Sequence, residues 1–247
     1  MDQKQQLLYN SLRWPLLVVG LLWLIHITCW LTGVDLGAWG IYPRQLFGLR
    51  GILTAPFIHG DFSHLLSNSI PLIVLWTLIR FFYARVANWA VVMIYLFTGL
   101  AVWLFARSVF HIGASGVVYG MVAFLLGNGL FRRNIKSIGI ALVILFFYSG
   151  MFLGLSPNQE GISWESHLLG ALVGLFTAYY YKEQIEQDEK ETPNSWELES
   201  EEGQHYFLPR DTFEKTKAER AREQAERLAN GWTSTSTWGD MQEGEQR

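Results

Sequence analysis

The sequence predicts an all-α membrane protein, a bundle of six transmembrane helices followed by a cytoplasmic, partly disordered C-terminal tail. Three observations predict it. Half of the 247 residues are hydrophobic and only 17% are charged, against about 25% charged in an average soluble protein. Residues 1–181 hold ten Lys/Arg and five Asp/Glu, a net of +5, whereas residues 182–247 hold nine and seventeen, a net of −8. Apolar runs near the ~20 residues needed to cross a bilayer recur through the first part. So few charges cannot coat a soluble globule of that length, which excludes a water-soluble enzyme and a nucleic-acid binder with a basic face. The single cysteine, Cys29, excludes disulfide scaffolds and cysteine-ligated metal sites, and no metal-ligand cluster appears. No cofactor and no metal are expected.

The elements follow in order. A short N-terminal segment, 1–13, precedes the membrane domain, 14–181, with spans expected at 14–33, 62–80, 88–106, 113–131, 137–155 and 162–181. The first run is too long for a signal peptide and lacks a small-residue cleavage site. The connection 34–61 carries Trp39, Tyr42, Phe47 and Phe57. Amphipathic aromatics favour the water–lipid boundary, so this loop is expected to lie partly in the outer leaflet. Lys4, Arg13, Arg80, Arg85, Arg132, Arg133 and Lys136 fall on one side, and Arg44, Arg50 and Arg107 on the other. The positive-inside bias then puts both termini in the cytoplasm and starts runs two, four and six at the outer face.

The tail, 182–247, differs in character. Residues 183–202 are acidic, contain Pro193 and read as a linker. Asp211 with Glu214 offers a capping box for a helix at 212–230, stopped by Gly231. Its apolar face is thin, which leaves two readings, a solvated appendage and, second to it, a helix that docks a cytoplasmic partner or gates the core. Residues 232–247 read as disordered.

Polar side chains inside lipid are costly and are functional suspects by default. His64 and Asn68 open run two, Ser115 and Tyr119 open run four, and His167 opens run six. All five share one depth near the outer face. His64/Asn68 and Ser115/Tyr119 are each i, i+4 pairs on one helix face. Gly116 with Gly120, and Gly170 with Gly174, form small-xxx-small pairs that let helices approach closely. Runs four and six can then bring Ser115 within hydrogen-bond reach of His167, which activates an otherwise weak hydroxyl nucleophile. Glu165 projects from the other side of the helix, and Asp61 and Glu160 are expected in loops, so a Ser–His dyad is read rather than a triad. The helix N-terminus at Ser115, with side-chain donors from His64 and Asn68, suits an oxyanion. Tyr119 is placed to pack on the His167 ring.

The combination resembles the rhomboid family of intramembrane serine proteases. The resemblance rests on His59 and His64-x-x-x-Asn68, on Gly113-Ala114-Ser115-Gly116-Val117-Val118-Tyr119, and on His167-Leu168-Leu169-Gly170 with Gly174. It spans about residues 14–181. It implies a six-helix rhomboid core, Ser115 as nucleophile, and His167 as general base and acid. It also implies an oxyanion hole from His64, Asn68 and the Ser115 backbone N–H, with helix five and the fifth loop gating access. Family members commonly carry Trp-Arg in the first loop ahead of a threonine. Here Thr54 follows Arg50-Gly51, so the tryptophan is absent, the arginine is displaced by one, and the loop's anchoring is expected to differ.

The implied partners are single-pass transmembrane substrates and the lipid bilayer. The expected location is a bacterial cytoplasmic (inner) membrane, with the active site near the outer face. Two rivals remain: a catalytically inactive rhomboid-like protein that binds membrane clients, and a transporter lined by the same polar residues.

Overall fold

Backbone polar groups in lipid must be satisfied within their own segment, which forces apolar runs into helices. The computed structural model describes residues 3–157, 163–184 and 215–229. Its first unit, within residues 1–190, contains α1 (Gln3–Thr32), α2 (Gly51–Thr54), α3 (Phe62–Phe82), α4 (Ala87–Phe105), α5 (Ser115–Arg132), α6 (Ile135–Tyr148) and α7 (Trp164–Tyr180). Short 3₁₀ turns join several of them. The only β pairing among the described residues is one bridge between Ile41 and His111.

Five helical segments are long and apolar enough to cross a membrane: 5–32, 62–82, 87–105, 115–132 and 135–155. α7 has 17 residues, about 25 Å of rise, and falls short of that length by itself. Two boundaries differ from expectation. α1 begins at Gln3 rather than at residue 14, because Gln, Leu and Lys are good helix formers and carry the helix beyond the apolar run. The fifth run is α-helical only to Tyr148 and tightens into a 3₁₀ stretch, Ser149–Leu155.

α5 is the central helix, 67% buried across its span and packed by α3, α4, α6 and α7. The α5–α7 contact is the closest. A Cβ at Gly170 would stand 2.0 Å from the Gly116 carbonyl oxygen, and one at Gly174 would stand 2.0 Å from that of Gly120. Only glycine permits this approach. α1 lies along α3, tied by Trp23 Nε1–H donating to Ser69 Oγ at 3.0 Å. At the end remote from Ser115, Arg132 lies over the Tyr83 ring at 5.0 Å, and Lys136 Nζ donates to the Phe82 carbonyl at 3.1 Å.

The first loop is anchored without the missing tryptophan. Arg50 stacks over Trp39 at 4.4 Å and donates to the Ala38 carbonyl. Thr54 Oγ1 donates to the Trp39 carbonyl at 2.6 Å. Arg44 reaches the Ala106 carbonyl and Ser108 Oγ beyond α4, and Trp103 Nε1–H donates to the Gln45 carbonyl. The displaced arginine thus takes a more distant tryptophan as its partner.

The second unit lies within residues 191–247 and has one described helix, α8 (Lys217–Ala229). Its start corrects the expected 212–230. Residues 215–216 are not helical, and the cap is Thr216, whose N–H and hydroxyl both donate to Glu219 Oε2 at 2.7 and 2.9 Å. This reciprocal box stops the helix from extending toward its N-terminus. The expected Asp211–Glu214 box, the acidic linker with Pro193, Gly231 and the 232–247 segment lie outside the described residues.

Candidate active site

Three helix N-termini converge on one cavity of about 660 Å³, lined by His64, Asn68, Ser115, Tyr119, Met151 and His167 among others. Each helix begins where its local sequence provides a start. Asp61 is the N-cap of α3, its side chain accepting from the His64 N–H at 2.8 Å. That bond holds the Asp61 carboxyl below the usual carboxylate range. Asp61 is therefore a helix cap and not simply a loop residue. α5 begins at Ser115 behind Ala114, which supplies no side-chain cap. The first amides of α5 are consequently available to an anion, and the helix dipole favours one there.

Ser115 Oγ lies 2.9 Å from His167 Nε2. His167 Nδ1 lies 2.8 Å from the Gly154 carbonyl oxygen. A carbonyl only accepts, so Nδ1 carries the proton and Nε2 is left as the acceptor for the serine hydroxyl. Tyr119 stacks on the His167 ring at 4.1 Å and 8°, and its hydroxyl donates to the Met151 carbonyl at 2.6 Å. The imidazole is thus fixed in plane by a ring and in tautomer by a backbone carbonyl.

His64 and Asn68 reach the same cavity from α3. Asn68 is buried and donates one amide proton to the His64 carbonyl at 2.9 Å, with a second proton remaining. Gly113, at φ +97°, turns the chain into α5. A Cβ there would stand 2.7 Å from His64 Cε1 and Nε2, so glycine is required both by conformation and by the adjacent ring. His59 is buried, its ring 5.0 Å from that of His64 and edge-on to it. Burial first, and then the His64 and His26 rings, push its pKa down to about 4, so it is a neutral packing partner at ordinary pH. Gly116, Gly170 and Gly174 act at the α5–α7 seam rather than in the cavity.

Several contributors had no residue-type signal. The carbonyls of Met151 and Gly154 belong to backbone that any sequence would supply. His111 Nε2–H donates to the Arg107 carbonyl at 2.9 Å, and its Nδ1 faces Ser163 Oγ, which also meets Ser166 Oγ at 2.7 Å. This network pins the start of α7 to the α4–α5 connection. Glu165 turns out to have a structural task, pairing with Arg107 at 3.3 Å. Both features were legible in retrospect as polar residues flanking His167 and Ser115. Glu160 lies outside the described residues.

Comparison with known proteins shows the family. A family profile described as Rhomboid domain matches residues 46–184. An uncharacterized protein of Mycobacterium tuberculosis (strain H37Rv) is 40% identical over 170 residues, covering 65% of this chain and 71% of the relative. An uncharacterized protein of Mycobacterium leprae is 38% identical over 185 residues, covering 69% and 73%. With its long apolar helices, the chain is an integral membrane protein. It belongs to the rhomboid family, whose members are generally intramembrane serine proteases.

Proposed function

We propose that this protein is an intramembrane serine endopeptidase that cleaves transmembrane substrates through a Ser115–His167 dyad. The observation that carries the reading is the 2.9 Å contact between Ser115 Oγ and an imidazole whose other nitrogen is committed to a carbonyl. His167 Nε2 takes the serine proton as Oγ attacks the scissile carbonyl, then returns it to the leaving amine. The acyl-enzyme forms, and water activated by the same nitrogen hydrolyses it. The oxyanion is met by the Ser115 backbone N–H at the uncapped start of α5, with His64 and Asn68 as side-chain donors. The substrate enters laterally past α6 and the 149–155 stretch. Six spans, cytoplasmic termini and a site near the outer face of a bacterial inner membrane complete the proposal.

Purified protein incubated with a fluorescent transmembrane substrate tests it. Ser115→Ala and His167→Ala should each lower kcat by about 10³-fold or more, and a fluorophosphonate should label Ser115 alone. Asn68→Ala should cost about 10²-fold, the scale of one oxyanion donor. Wild-type rates in either dyad variant would refute the dyad. A wild-type protein that neither cleaves nor labels would favour the client-binding reading.

A further inference from the structure

α1 packs along α3, while α4 packs chiefly against α7 and α5. α1 and α4 scarcely meet, and between them lies a cleft of about 450 Å³ that is separate from the catalytic cavity. Leu22, Leu72, Val91, Val92 and Met121 form apolar walls. One end is polar, with Trp14, Arg80 and Asn88. Arg80 is sixteen positions beyond His64 on α3, about 24 Å along the axis, so this end lies at the face opposite the dyad.

Arg80 is underused by the protein. One guanidinium N–H of Arg80 goes to Asn88 Oδ1. No carboxylate is within ion-pair reach of it among the described residues. Arg80 Nε and the neighbouring Trp76 Nε1 are buried without an acceptor. A part-buried, unneutralised guanidinium at the end of an apolar slot calls for an anion attached to an apolar chain.

We propose that the cleft binds one anionic glycerophospholipid, its phosphate on Arg80 and one acyl chain lying between α1 and α4. Basic pockets between transmembrane helices select anionic headgroups by charge, and the apolar walls hold the chain. The site is independent of the proteolytic reading, since none of its polar residues belongs to the dyad or the oxyanion donors.

The test is native mass spectrometry of the full chain in detergent, titrated separately with phosphatidylglycerol and phosphatidylcholine. One phosphatidylglycerol should be retained, about tenfold more tightly than phosphatidylcholine, whose choline ammonium offsets the charge of the same phosphate. Arg80→Gln should bring the two lipids level, while Arg80→Lys keeps most of the preference and controls for folding. Val92→Trp, which fills the slot from a half-exposed position, should lower retention of both lipids. Equal retention of the two lipids by wild type would overturn the proposal, as would a preference that survives Arg80→Gln. Undiminished binding in Val92→Trp would show a headgroup bound without its chain and would also overturn it. Glycerol 3-phosphate should not displace the lipid; displacement would assign the site to free phosphate.

Discussion

His167 is oriented by a carbonyl and a phenol ring where a serine hydrolase triad uses a carboxylate. The Gly154 carbonyl fixes the tautomer but would offer only a partial charge to the imidazolium of the proposed attack, a weaker backing than aspartate gives. The position of Gly154 depends in turn on Tyr119, whose hydroxyl holds the Met151 carbonyl three residues earlier. Tyr119→Phe keeps the stacked ring and loses that one bond, about 1 kcal/mol, so kcat should fall several-fold with KM little changed. Tyr119→Leu removes the ring face as well and should cost about 10²-fold. Steady-state kinetics with the rate of fluorophosphonate labelling separates the two. A Leu variant as fast as wild type would remove Tyr119 from the site. Ser115, His167, His64 and Asn68 were legible in the sequence because polar groups in an apolar run are expensive and rare. The Met151 and Gly154 carbonyls were not, because every residue carries one and only the 3₁₀ turn aims these two.

At the level of elements, the distance between Ser115 and His167 is set by the α5–α7 seam. Gly170 and Gly174 lie against the carbonyls of Gly116 and Gly120, so any side chain there must push the helices apart. Gly174→Ala should destabilise the protein by about 1–3 kcal/mol, as overpacking does, and slow cleavage by separating the dyad. Thermal unfolding in detergent, read beside the cleavage rate, checks both. An unchanged melting temperature would mean that the seam relaxes elsewhere. The long helices and this seam were visible in the sequence as run length and glycine spacing. The first loop's path was not, since Arg50 pairs with Trp39 across eleven positions and Arg44 reaches past α4, contacts that only the assembled bundle creates. α8 shows a subtler limit. Two successive capping boxes stand in the tail sequence, and among the described residues the Thr216–Glu219 pair is the one that caps.

At the scale of the whole molecule, the opposed charges of the two parts give the proposed orientation its basis, and the chain is well suited to measuring it. Arg80, Arg85, Arg132, Arg133 and Lys136 flank the ends of α3–α6 remote from Ser115, while Arg107 lies in the connection that leads into α5. In the proposed topology the positive-inside rule puts the basic end in the cytoplasm and opens the dyad toward the outside. Cys29 is the sole cysteine, so Cys29→Ser gives a background without thiols. Val109→Cys, at a 45% exposed position between α4 and α5, should then react with a membrane-impermeant maleimide on intact cells. Gln224→Cys, on the exposed surface of α8, should react only after permeabilisation. The reverse pattern would invert the proposed topology, opening the dyad to the cytoplasm and putting the acidic tail outside. Labelling of both sites in intact cells would place the tail and the active site on one face. That result requires an even number of spans between Val109 and Gln224, and so would remove one of α5, α6 and α7 from the set that crosses; the 17-residue α7, which by itself falls short of a full crossing, is the one to look at first.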